Sequence, residues 1–200
     1  MNSEFEIRRL LELMPATGRM RCPIVSRPGQ RKVIETLFPK PWAWERKILI
    51  NFDLWDRLTK PQRDLVLLRT VTWLLEIRWF KPDLYQGLTL IGLVGTTVEF
   101  LQADAVGVAV AGTLSAIAAN QIFRSNRNPR IELAADEAAI KVALRRGYTE
   151  KEAACHLISA IEAVAEIEQR SGLDFTELVR CQNLKAIAGV SPASVPELLR

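Results

Sequence analysis

Several chemistries are thinned out by what this chain lacks. His156 is the only histidine among 200 residues, and it cannot join a cysteine in a metal site at ligand spacing. The three cysteines, Cys22, Cys155 and Cys181, are odd in number, far apart and without a CxxC pair. They read as reduced thiols in a reducing compartment. Cys155 and His156 are neighbours in sequence, so on a helix they project about 100° apart and cannot form a nucleophilic dyad with each other. No glycine-rich phosphate loop is present: Gly92-Leu93-Val94-Gly95 lies in an apolar run without a strand–loop–helix setting. No internal repeat is found. The first six residues are acidic and open a helix, so no signal peptide is expected.

Basic residues are missing from one long interval. Residues 82–123 hold no Lys or Arg and three acids, whereas residues 1–81 hold 16 Lys/Arg against 9 acids. Residues 124–200 balance at 11 of each, for a formal net charge of +4. The N-terminal excess is too diffuse for a nucleic-acid module, and no nucleic-acid partner is expected. With 48% apolar and 25% charged residues, the chain has the composition of a globular protein, which excludes disordered and fibrous classes. At 22.5 kDa it is one domain, or one domain with a small appendage, and can bury a core.

The local patterns are mainly helical, with a small β element in the first quarter. Ser3 with Glu6 reads as a capping box for a helix that Pro15 stops. Residues 15–46, rich in Pro, Gly and Arg, read as loop with extended pieces near 23–26 and 33–38. Residues 47–52 read as a strand, followed by a short helix over 53–58. Thr59 with Gln62 caps a helix on which Leu65, Leu68, Val71, Leu75 and Trp79 recur at helical spacing. A helix after Asn128-Pro129 should run to about Arg146, with Gly147 as its C′ residue. Thr149 with Glu152 caps the next, which Ser171-Gly172 should close. One or two short helices complete the chain, the last from about Ser194. Glu162, Glu166 and Glu168 read as a solvated face.

Residues 84–98 and 105–123 are uncharged runs of membrane-span character, rich in Gly and Ala that would let two helices approach closely. Trp79 and Lys81 stand before them, Phe123 and Arg124 after, as interfacial anchors. The expectation is a transmembrane helical hairpin over 84–123, inserted between an N-terminal part (1–83) and the C-terminal helical part of the same domain (124–200). Both termini would be cytoplasmic, on a cytoplasmic or thylakoid membrane, with membrane lipid and an unidentified protein as partners. The alternatives are a soluble, all-helical interaction protein with these helices buried in its core and, last, an enzyme with an unrecognised site.

Two separated segments together resemble HtpX-type membrane zinc peptidases. The first runs from Asp53 to Arg69 and can be laid without gaps on the strand, short helix and capped helix that lead into that family's HExxH motif. The second, Glu132-Leu133-Ala134-Ala135-Asp136, resembles the family's E-x-x-A-D, with Gly147-Tyr148 at the downstream distance of its Gly-Tyr. A membrane hairpin lies between the two motifs in that family. The resemblance implies a degenerate gluzincin-like helical domain with Glu132 as the third metal ligand and Asp136 as its support. Where the HExxH motif should stand, however, the chain reads Arg69-Thr70-Val71-Thr72-Trp73. Both imidazoles and the general base are gone, so no metal, cofactor or catalytic residue is expected. The implied protein is a pseudopeptidase whose pseudo-site comprises Arg69, Thr70, Trp73, Glu132 and Asp136. Arg69, at the first histidine position, is expected to pair with Glu132, Asp136 or both. The full length also resembles an uncharacterised cyanobacterial family, domain of unknown function 3318. Residues 1–11 and the block from 50 through 83 carry that likeness, which implies a lineage and no mechanism.

Overall fold

The computed structural model describes residues 3–40, 43–77 and 129–190, together with Thr113. The chain divides into two compact units, residues 77–128 and the remainder. The expected hairpin, apart from Thr113, and its anchors Trp79, Lys81, Phe123 and Arg124 lie outside the described residues, as does the helix expected from Ser194. Among the described residues no helix is long and apolar enough to cross a membrane.

The larger unit is mainly helical with one small sheet, as the patterns imply. Its helices are α1 (Ser3–Leu13), α2 (Ala16–Arg21), α3 (Phe52–Trp55), α4 (Lys60–Glu76), α5 (Pro129–Leu144), α6 (Glu150–Ile167) and α7 (Phe175–Ile187). The strands β1 (Ile24–Ser26), β2 (Ile34–Thr36) and β3 (Ile48–Ile50) form a sheet in the order β1-β3-β2. β1 runs parallel to β3 and β2 antiparallel to it, with Ile24 and Thr36 both opposite Ile48.

α4 is the hub. Leu65, Leu67, Leu68, Val71 and Leu74 are fully buried on it, on more than one face, as expected of a helix enclosed by its neighbours. Leu67, Val71 and Leu74 join Leu10, Met14, Ile48, Ile50 and Trp55 in a core beneath the sheet. Leu65 and Leu68 join Ala139, Ala143, Leu157 and Leu184 in a second core among α5, α6 and α7. Gly18 lets α2 approach α4 closely, since a Cβ there would sit 2.6 Å from Val71 Cγ1.

Several local expectations need correction. α2 replaces expected loop: Pro15 ends one helix and occupies the N-cap of the next, at φ −63° and ψ 154°. Glu6 is not free to cap α1, because its carboxylate is buried and accepts from Arg9 and Trp55. α6 ends before Ser171-Gly172; the left-handed residue that turns the chain is Gln169, at φ 56°. Glu168 is no part of a solvated face, since its carboxylate accepts from Val33 N at 2.9 Å and pairs with Arg170 at 3.2 Å. The Thr149–Glu152 capping box forms in full, and Gly147 takes φ 93° just beyond α5. Cys22, Cys155 and Cys181 are all free thiols, with only Cys155 exposed. Burial pushes the Cys22 thiol up to about 11.

Candidate functional site

Residues 69–73, which the resemblance would align with an HExxH motif, lie on the second half of α4, against α5. Arg69 Nη2 is paired with Glu132 Oε2, and Arg69 Nε lies 3.6 Å from Asp136 Oδ1. Trp73, one turn further along α4, donates its indole N–H to Glu132 Oε1 at 2.7 Å. The side chains four residues apart on α4 thus meet the first carboxylate of the Glu132-x-x-x-Asp136 pair, as helical spacing allows. Thr72 joins the same interface, its hydroxyl donating to Ala135 O at 2.8 Å. Thr70 turns inward instead and donates to Val66 O of its own helix. The edge of the Trp73 ring also meets Phe38, with centroids 6.2 Å apart.

One member of this site was not anticipated. Arg180 of α7 donates from Nε and Nη2 to the two oxygens of Asp136, both at 2.8 Å. Asp136 is wholly buried and Arg180 only 7% exposed, so this is a bidentate pair held away from water. Burial opposes the charge on Arg180, but Asp136 outweighs it and its pKa is raised. Arg69 differs: burial first, and then the Arg180 cation, pull it well below the ordinary guanidinium range. The signal for α7 was present as Asp174-x-x-Glu177, a capping box whose two reciprocal bonds both form. Glu177 also takes a bidentate pair from Arg170 at 2.8 and 2.9 Å.

Zinc does not fit this arrangement. Two hydrogen-bond donors, Arg69 and Trp73, stand where the resemblance would place α4 ligands, and both oxygens of Glu132 and of Asp136 are engaged by cations or an N–H. Among the described residues no group of three or more His, Cys, Asp or Glu side chains could hold a metal ion. A cavity of about 120 Å³ borders Arg69, Thr70, Glu177 and Arg180, well below the ~300 Å³ at which small-molecule sites begin.

A second charged cluster ties α1 to α4 and to the turn after α5. Arg9 donates through Nε and Nη2 to the buried carboxylate of Glu6, both at 2.8 Å, and through Nη1 to Asp64. Asp64, 1% exposed, also accepts from Tyr148 Oη at 2.8 Å and Lys60 Nζ at 3.2 Å. Burial works to raise Glu6, but Arg9, with Trp55 and Arg63, outweighs it and holds the carboxyl below its usual range. Tyr148 stays protonated, its phenol pushed up by burial and by Asp64. His156 packs edge-on to Tyr148, with centroids 6.3 Å apart. Arg9 was not singled out from the sequence, Glu6 entered only as half of an expected capping box, and Tyr148 only as half of Gly-Tyr.

The fold and this site define a mainly helical protein with a small three-stranded sheet, in which ion pairs join helices from distant parts of the chain. The chain belongs to the family described as Protein of unknown function (DUF3318), which it matches over residues 8–148. No curated protein and no solved structure matches it.

Proposed function

We propose that this chain is a non-catalytic, membrane-associated scaffold or regulatory protein built on a peptidase-like frame that has exchanged its metal for ion pairs. The observation that carries the reading is at Glu132. In the resembling zinc peptidases that position supplies a metal ligand, and the two α4 positions facing it supply imidazoles. Here Arg69 and Trp73 hold those two positions and both engage Glu132. A guanidinium and an indole N–H satisfy the carboxylate where a cation would have done so. The frame therefore keeps its helix-to-helix tie without a Lewis acid or a nucleophilic water.

Membrane association rests on the Lys/Arg-free interval 82–123, read as a hairpin anchored by Trp79, Lys81, Phe123 and Arg124 with both termini cytoplasmic. A second reading is a helical interaction protein that buries this interval in its own core. It is favoured by Ala139, Ala143, Ala153 and Ala154, all buried in the core that α5 and α6 share, small residues of two helices that serve as core in this chain.

Carbonate extraction of a native membrane fraction separates the two readings: an inserted hairpin stays with the pellet, a buried one is released. Metal analysis of the purified chain, with a casein-type protease assay, tests the non-catalytic part. The expected outcome is no stoichiometric zinc and no cleavage. Near one zinc per chain, lost in Glu132→Gln, overturns it.

A further inference from the structure

Away from both charged clusters, the end of α2 and the connection from β2 to β3 bring cations and exposed apolar side chains together. Arg46 N donates to Arg21 O at 2.7 Å, which fixes the end of α2 beside the chain leading into β3. The Arg21 guanidinium lies over the Trp44 ring, 4.6 Å from its centroid. Leu37, Ala43, Arg46 and Lys47 border one groove of about 210 Å³, whose lining is mostly apolar. Met20, Leu37 and Trp44 remain 74%, 73% and 68% exposed. Single exposed apolar residues need no explanation; three set among cations do. In sequence, residues 19–21 and 43–47 hold Arg19, Arg21, Arg46 and Lys47 against the single acid Glu45. Among the described residues, Arg19, Arg21, Arg46 and Lys47 have no carboxylate within ion-pairing distance. Burial pulls Arg46 down, and the Arg21 cation beside it adds to the effect, as expected where positive charge is crowded and uncompensated.

We propose that this face docks on the anionic surface of a phospholipid bilayer, with Trp44, Leu37 and Met20 entering the headgroup layer and Arg19, Arg21, Arg46 and Lys47 pairing with lipid phosphates. Tryptophan is the side chain best suited to the boundary between headgroup and hydrocarbon. Leucine and methionine add area that a bilayer accepts, whereas single-stranded nucleic acid is held by successive flat rings on which its bases stack. Each cation near an anionic leaflet strengthens attachment roughly fivefold. The contact uses none of residues 84–123, so it goes beyond the hairpin reading and stands without it.

The test uses the full chain carrying Cys155→Ser, which removes the exposed thiol, and a nitroxide on Leu37→Cys. A second preparation carries the label on Glu137→Cys, at an exposed position of α5. Both are mixed with vesicles of phosphatidylcholine alone or of phosphatidylcholine with phosphatidylglycerol. Accessibility to a water-soluble nickel chelate is then measured. With the anionic lipid, label 37 should lose accessibility at least roughly fivefold while label 137 does not change. Charge reversal at two exposed positions, Arg19→Glu with Lys47→Glu, should restore water access at 37. Unchanged accessibility at 37 in the anionic vesicles overturns the proposal. So does equal protection of 37 by soluble single-stranded DNA without vesicles. Co-sedimentation with phosphatidylcholine alone reports separately on residues 84–123, so failure of the hairpin and failure of this face are told apart.

Discussion

At the junction of α1 and α4 a single guanidinium, Arg9, serves two buried carboxylates, Glu6 and Asp64. At the junction of α4, α5 and α7 two guanidiniums, Arg69 and Arg180, converge on Asp136, and Trp73 shares Glu132 with Arg69. In the first the cost of failure falls most on Arg9, although Glu6 also has Trp55 and Arg63 and Asp64 also has Tyr148 and Lys60. The second distributes it, and unevenly. Arg180 supplies both hydrogen bonds to the wholly buried Asp136, whereas Arg69 reaches it only as an ion pair at 3.6 Å. Arg69 occupies the position where the resemblance would place a metal ligand, yet the buried carboxylate depends on an arginine 44 residues downstream of Asp136. The arginine that a motif resemblance singles out therefore need not carry most of the stability of its site.

This contrast can be broken by mutation. Arg9→Met should be the most damaging change, costing about 3–5 kcal/mol by urea unfolding, because it leaves two buried carboxylates short of their main cation. Arg180→Met should follow at about 3 kcal/mol, since Asp136 loses both hydrogen bonds. Arg69→Met should cost only about 1–2 kcal/mol, because Asp136 keeps Arg180 and Glu132 keeps Trp73. If Arg69→Met proves as costly as Arg180→Met, the two arginines act as one unit and the uneven division is wrong. Asp136→Asn in the Arg180→Met background should then recover part of the loss, which separates a stranded charge from damaged packing.

Acid sharpens the comparison on the α1 side. The carboxyl of Glu6 is held below its ordinary value of 4.5, so the unfolded chain takes up its proton first as pH falls. Its contribution is complete above about pH 4.5 and is lost as pH drops through the lower folded value. The unfolding midpoint should decline below that point. Glu6→Gln should be less stable at neutral pH and decline less in acid; an identical acid limb in the variant would show that other carboxylates govern it.

The smallest effects concern the neutral donors of the two sites. Tyr148→Phe removes one bond to Asp64, and Trp73→Phe removes one bond to Glu132. Each should cost about 1 kcal/mol, and thermal unfolding of the pair would rank the two carboxylates. A Trp73→Phe loss well above the Tyr148→Phe loss would mean that Glu132 leans on the indole more than on Arg69.

Much of the secondary structure was legible because its signals are local. The Thr149–Glu152 box, Gly147 after α5 and the extended pieces around β1, β2 and β3 each depend on residues a few positions apart. The Arg69, Trp73, Glu132 and Asp136 constellation was legible through a motif resemblance, since residues one helical turn apart share a face whatever their side chains. Other features misled. Ser3-x-x-Glu6 has the spacing of a capping box, but Glu6 is drawn into the interior by Trp55 and Arg9. Pro15 marks the end of one helix and also the start of another.

The amino-acid order by itself thus determined where most helices and strands lie, because propensity, capping and periodicity act over one or two turns. Beyond the expected Arg69 pairing, which donors satisfy the buried carboxylates was decided only by tertiary structure. Arg180 meets Asp136 across 44 residues, Tyr148 meets Asp64 across 84, and Trp55 meets Glu6 across 49. No local period records such pairings. They follow from packing the two cores around α4, which removes the carboxylates from water and leaves each to be satisfied by whichever donor the folded chain brings within reach.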